Sequence, residues 1–193
     1  MSIIMGSSLL TFGDGTSQNW ASAIKGASYS TVLPGTGGVN GTGFTITVPS
    51  GTCMITMNFA DVSLTGTDDI AFKFINAAGT SPVYNTQTIN IGNSGTCSGT
   101  SSSSLTYGYI SSGAGASLWS GTMNFWLDTG PNSVGSSVRY SGLFKYSTAG
   151  CQIINGYCSY DTSAITSLTF YPSGTNTFDN GTVNFTEYTS LRG

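Results

Sequence analysis

The sequence predicts an all-β fold: an antiparallel β-sandwich of jelly-roll type with an extended N-terminal arm. Three observations predict it. Apolar and polar residues alternate in short runs from Phe44 onward. Turn signals rich in Gly, Pro, Asn and Ser interrupt those runs about every 8 to 12 residues. No helical crossover separates them, so neighbouring strands must be antiparallel.

The 193 residues suffice to bury one apolar core between two packed layers, and a single such domain is the default. Charged residues are only 7% of the chain, against about 25% in an average soluble protein. A disordered chain would also be poor in aromatics, but aromatic residues reach 12% and hydrophobic ones 38%, so burial can offset the entropy of ordering. The surface is then clad in hydroxyls and amides. With five Lys plus Arg and a net charge of −3, no basic stripe is available to a phosphate backbone, which argues against a nucleic-acid partner. No apolar run approaches the roughly 20 residues of a membrane span, and Met1 to Gly6 lacks the positive charge that opens a secretory signal. Neither a membrane nor classical export is expected.

Residues 1–38 read as an arm and linker, an attachment segment, and residues 39–193 as the sandwich. Thr16 to Lys25 can form one short helix capped by Thr16 or Ser17, too short to be stable without a partner surface. Leu33-Pro34-Gly35-Thr36-Gly37-Gly38 then breaks any regular element. In the body, Phe44 to Val48 forms the first strand. The next run sets Cys53, Ile55, Met57 and Phe59 on one face with Thr56 and Asn58 on the other. Ile70, Phe72 and Phe74 alternate with Ala71 and Lys73. Further strands are predicted at Thr86 to Ile91, Leu105 to Ile110, Leu118 to Asp128, Val138 to Ser147, Ile165 to Tyr171 and Thr182 to Tyr188, about nine in all, near the eight of a jelly roll. The serine-rich stretch Gly95 to Ser104 is expected to be a loop.

Cys53, Cys97, Cys151 and Cys158 form an even set. Cys151 and Cys158 bracket Ile153-Ile154-Asn155-Gly156-Tyr157 as if across a tight turn and are the favoured bridge. The alternative is that each cysteine is a small buried hydrophobe. No spacing matches a zinc motif, and the chain has no histidine.

Without histidine, Ser-His-Asp and Cys-His catalysis are excluded. A carboxylate pair of the glycosidase kind is open in principle, but only eight acids exist: Asp14, Asp61, Asp68, Asp69, Asp128, Asp161, Asp179 and Glu187. Most sit in turn contexts, where Asp bonds its own backbone. Asp68 and Asp69 can offer oxygen to Ca²⁺, but nothing around them resembles an EF-hand loop. No catalytic residue, metal or cofactor is assigned. The sequons at Asn40, Asn180 and Asn184 are expected by chance in a chain this rich in Asn and Thr.

The aromatics say more. In Leu118 to Asp128, Trp119, Met123, Phe125 and Leu127 share one face, which leaves Trp126 on the polar face with Ser120, Thr122, Asn124 and Asp128. Trp126 is then a sugar-stacking platform, an oligomer anchor, or a ring covered by a loop. Val138, Tyr140, Phe144 and Tyr146 likewise alternate with Arg139, Ser141, Leu143 and Lys145. Arg139 and Lys145 suit an acidic partner surface, or simply a solvated strand face. Tyr107 joins them as a candidate loop contact.

Leu9-Leu10-Thr11-Phe12-Gly13-Asp14-Gly15-Thr16-Ser17-Gln18 resembles an opening found in many tailed-phage fibre and decoration proteins. Ile165 to Tyr171, followed by Phe178-Asp179-Asn180-Gly181-Thr182-Val183-Asn184-Phe185, is similar to their closing strands, although the run to Tyr188 departs from the usual ending. The resemblance implies a trimeric virion β-sandwich, assembled in the host cytoplasm, with the arm as attachment segment and Phe12, Asp14, Gln18 and Trp20 as its contacts. The partner would be the major capsid protein or another virion protein, and disulfides would form only after lysis. A capsid decoration or cement protein is the first expectation. A tail-fibre head contacting host glycans is the second, and a carbohydrate-binding or adhesin module the third.

Overall fold

The computed structural model describes residues 4–5, 9–11, 17–19, 25–32, 43–80, 82–92, 96–110, 117–128, 137–146, 150–159 and 164–189, the first four stretches by backbone alone. Among the described residues every regular element is a strand. Three short strands, β1 (Ile4–Met5), β2 (Leu9–Thr11) and β3 (Ser17–Asn19), form an antiparallel meander of their own. The body follows with β4 (Lys25–Val32), β5 (Phe44–Thr47), β6 (Thr52–Leu64), β7 (Ile70–Asn76) and β8 (Val83–Gly92). It continues with β9 (Cys97–Leu105), β10 (Gly108–Tyr109), β11 (Trp119–Asp128), β12 (Ser137–Tyr146), β13 (Gly150–Ser159), β14 (Ile165–Pro172) and β15 (Phe178–Thr189).

These strands make two antiparallel sheets facing each other across one core, as in a β-sandwich. The larger runs β4-β15-β6-β11-β12-β13-β8-β9, and the smaller β10-β7-β14-β5. The alternation read from the sequence decides which side chains enter. Met123, Phe125 and Leu127 of β11 are buried while Trp126 and Asp128 are exposed, and Val138, Tyr140 and Phe144 of β12 are buried while Arg139, Leu143 and Lys145 are exposed. The smaller sheet supplies Ile46, Ile70, Phe72, Phe74, Leu168 and Phe170. Phe72 is the hub: its ring centroid lies 5.0 Å from Tyr140, 5.2 Å from Phe125 and 5.7 Å from Phe170, so it joins both sheets. Edge-to-face pairs of this kind add about 0.5–1.5 kcal/mol each beyond the area they bury.

Five expectations are corrected. The helix predicted over Thr16 to Lys25 is absent from its described positions: Ser17–Asn19 pairs with β2, and Lys25 opens β4. A helix that short has too few internal bonds to compete with sheet partners. β4, inside the segment read as arm and linker, pairs at eight positions with β15, from Thr189 opposite Lys25 to Thr182 opposite Val32. The loop expected over Gly95 to Ser104 is largely β9, an edge strand whose outward hydroxyls meet water and which therefore needs no apolar stripe. Thr100 joins it to Thr88 by a 2.7 Å hydroxyl bond. Leu105 to Ile110 is not one strand, because β9 ends in the larger sheet and β10 belongs to the smaller, with the chain crossing between them.

The last correction concerns the bridge. Cys151 and Cys158 lie on one extended strand, β13, seven residues apart, hence about 23 Å apart and on opposite faces. A disulfide needs Cα atoms within about 7 Å. Cys53 and Cys97, on β6 and β9, are five strand spacings apart, about 24 Å. None of the four cysteines is in a disulfide.

Candidate functional site

Among the described residues the acids do not converge. Asp61 sits at a bulge in β6 with φ 52°, held by Ser120, whose hydroxyl donates to its carboxylate at 3.0 Å and accepts its backbone N–H at 2.9 Å. Asp68 accepts the backbone N–H of Asn176 at 2.8 Å, tying two turns together, and Asp179 bonds the Ser63 hydroxyl. Neither bonds its own turn as the sequence suggested: Asp68 reaches a distant bend, and Asp179 lies in β15 and bridges to β6. Glu187 is different: it is buried, its Oε1 has no hydrogen-bond partner, and burial raises its pKa above the ordinary 4.5. Among the described residues no three His, Cys, Asp or Glu side chains come close enough to share a metal ion.

The outward face of the larger sheet gathers more. Directly opposed residues in neighbouring strands point to the same side, so side chains line up in rows across the sheet. One row runs from Tyr188 through Met54, Trp126 and Arg139 to Tyr157. The adjacent row is entirely polar: Thr186, Thr56, Asn124, Ser141, Asn155 and Gln87. Within it Thr56 donates to Asn124 Oδ1 at 2.9 Å, and one row further Thr122 donates to Asn58 Oδ1 at 2.8 Å. At its other end that same row carries an apolar patch, Leu143, Ile153 and Ile89.

Two shallow depressions lie along the first two rows. One, of ≈ 450 Å³, is walled by Trp126, Arg139, Ser141 and Asn155. The other, of ≈ 550 Å³, is walled by Asn85, Gln87, Ser101 and Tyr157. They share Asn155 and Gly156 and so continue as one groove from β11 to β9. Trp126 is 39% and Tyr157 52% exposed, which leaves both rings available to a ligand.

Gly156 fixes the floor of the groove. A Cβ there would stand 2.3 Å from Tyr140 Cζ and 2.3 Å from the carbonyl oxygen of Asn85. The missing side chain lets the Tyr140 ring pass beneath β13, where its hydroxyl donates to that carbonyl at 2.9 Å and bonds the Thr86 hydroxyl at 2.7 Å. Burial of this phenol raises its pKa above the ordinary 10.0.

Of the candidates read from the sequence, the structure brings Trp126 and Arg139 together as opposed neighbours. Lys145 lies six residues beyond Arg139 on β12, about 20 Å away, between Ser120 and Cys151. Tyr107 stands at the crossing between sheets, its ring 6.3 Å from that of Tyr171. Burial, with Tyr107 as the smaller cause, pushes the Tyr171 hydroxyl up to about 12. Gln18 is in β3 opposite Leu10, and Phe12, Asp14 and Trp20 lie outside the described residues. Asn180 and Asn184 are exposed on β15, and Asn40 lies outside the described residues.

Tyr157, Asn155 and Gln87 were not found from sequence. The signal that hid them is Asn155-Gly156, a strong hairpin-turn dipeptide that here runs straight through a strand. Comparison with protein families, with curated proteins and with solved structures finds no match.

Proposed function

We propose that this chain is a non-enzymatic virion protein of a tailed phage, a capsid decoration or cement protein that docks as a trimer on the outer capsid surface and stabilises it. One observation carries the reading: the contrast between the sandwich and the N-terminal meander. Among the described residues the meander is a sheet of its own, paired with neither sheet of the sandwich, and strands of two or three residues are too few and too short to be stable alone. Such a unit gains its order from a surface it rests on, as an attachment arm would. The resemblance of Leu9 to Gln18 to phage decoration proteins points the same way. The scatter of acids and the lack of histidine favour action by contact rather than by chemistry.

A jelly-roll winding belongs to this proposal. It is supported by the pairing of β4 with β15 and of β5 with β14, which closes the first body strands onto the last. With β4 counted in the sandwich because it pairs with β15, the proposed arm ends at about residue 24 instead of 38. Removing residues 1–24 is expected to abolish binding to capsids stripped of the protein while leaving a folded trimer. Undiminished capsid binding by the truncated chain would overturn the role given to the arm.

A second reading, a tail-fibre head that contacts host glycans, is favoured by the groove between Trp126 and Tyr157. An adhesin module shares that support but lacks the resemblance.

A further inference from the structure

We infer that the groove on the outward face of the larger sheet binds an oligosaccharide carrying carboxylate groups. This rests on the glycan reading of that groove and goes beyond it by naming the class of sugar. The groove crosses β11, β12, β13, β8 and β9, four strand spacings or about 19 Å, the reach of a short oligosaccharide. One end is aromatic, Trp126 on β11, and a second exposed ring, Tyr157 on β13, stands midway along it; an open aromatic face is the surface on which the C–H side of a pyranose ring stacks. Between and beside them stand Ser141, Asn155, Gln87 and Ser101, neutral groups that both donate and accept, as sugar hydroxyls require.

The charge in the groove selects the sugar. Arg139 is the one charged residue lining either depression, in a chain with five Lys plus Arg. It stands directly between Trp126 and Tyr157 in the row, and among the described residues no carboxylate pairs with it. Asp128, described and exposed, lies one outward position beyond Trp126 on β11 and does not line the groove. A planar guanidinium with its fork of donors free, held between two exposed rings, matches a carboxylate bidentately. A neutral sugar would leave that fork half used.

The test is titration of the full chain, followed by tryptophan fluorescence and calorimetry, with oligomers of alginate, polygalacturonate, hyaluronan and sialic acid, and with neutral malto- and cello-oligosaccharides. Trp126→Ala, Arg139→Gln and Tyr157→Ala change exposed side chains, and their unfolding midpoints report that the fold is kept. Saturable binding of at least one acidic oligomer is expected, weakened at least tenfold by Trp126→Ala and several-fold by Tyr157→Ala. Arg139→Gln should erase the preference over neutral sugars. Binding of neutral oligosaccharides alone, lost in Trp126→Ala, would overturn the acidic assignment and leave the glycan reading standing. Binding of none of these sugars, or binding indifferent to all three substitutions, would overturn both.

Discussion

Gly156→Ala probes the junction of β12, β13 and β8 on which the groove is built. The added methyl would sit 2.3 Å from the Asn85 carbonyl oxygen and 2.3 to 2.4 Å from Cζ and Cε2 of Tyr140, whereas comfortable contact needs about 3.5–4.0 Å. Neither neighbour yields easily. The carbonyl belongs to the backbone of β8, and the ring is wedged against Phe72 and Phe125 at centroid distances of 5.0 and 6.1 Å. If the ring moves, the bonds of its hydroxyl to Thr86 and Asn85 are lost, about 0.5–1.5 kcal/mol each, on top of about 1–3 kcal/mol of overpacking. The expected destabilisation is about 3–5 kcal/mol, a large share of the roughly 5–15 kcal/mol that holds a domain together. Equilibrium urea unfolding reads it as a shifted midpoint at unchanged slope. Tyr140→Leu should make room for the methyl, so the double variant should be more stable than the sum of the singles by about 1 kcal/mol or more. A Gly156→Ala protein within about 0.5 kcal/mol of the parent, or strict additivity with Tyr140→Leu, would refute the register of β13.

Other expectations follow from single observations. Tyr140→Phe keeps the ring and removes both hydroxyl bonds, and should lower stability by about 1–2 kcal/mol in the same urea assay. Glu187 is neutral in both folded and unfolded chains well below pH 4.5; as pH rises the unfolded chain ionises first, so its burial progressively weakens the fold. Glu187→Gln should therefore stabilise the protein at pH 7 and make little difference near pH 4, as midpoints at the two pH values would show. Alkylation in denaturant without reductant should modify all four cysteines, while Cys158, fully buried on β13, should resist in the folded protein; two unmodified cysteines per chain would reveal a disulfide. Removing residues 1–38 deletes β4 and uncovers the edge of β15, so that chain should be less stable than one lacking only residues 1–24, with the difference read from thermal midpoints.

The body of the fold was legible wherever burial on one side imposes a period of two. β5, β6, β7, β11, β12 and β14 are within a few residues of their predicted positions, and Trp126 was placed on the correct face because Met123, Phe125 and Leu127 must go inside together. The misses have physical causes. β9 lies at an edge, where serine hydroxyls satisfy the exposed side and no apolar alternation is imposed. β13 turns Gln152, Ile154, half-buried Gly156 and Cys158 to one face, a set that reads as polar, apolar, turn and thiol and only makes sense once the Tyr140 ring occupies the space beside Gly156. That contact spans sixteen positions of sequence and belongs to tertiary packing, which local propensity does not encode. The site was half legible for the same reason: Trp126 and Arg139 lie on strands that were read correctly, whereas Tyr157 and Asn155 lie on one that was not.

The proposed role is contact made from the outside of a virus particle. Quantitative mass spectrometry of purified particles tests this most directly, by counting copies of the chain against the major capsid protein. A lattice decorator should be present in hundreds of copies per particle. A few tens or fewer would move it to the tail, and its absence from purified particles would contradict the account.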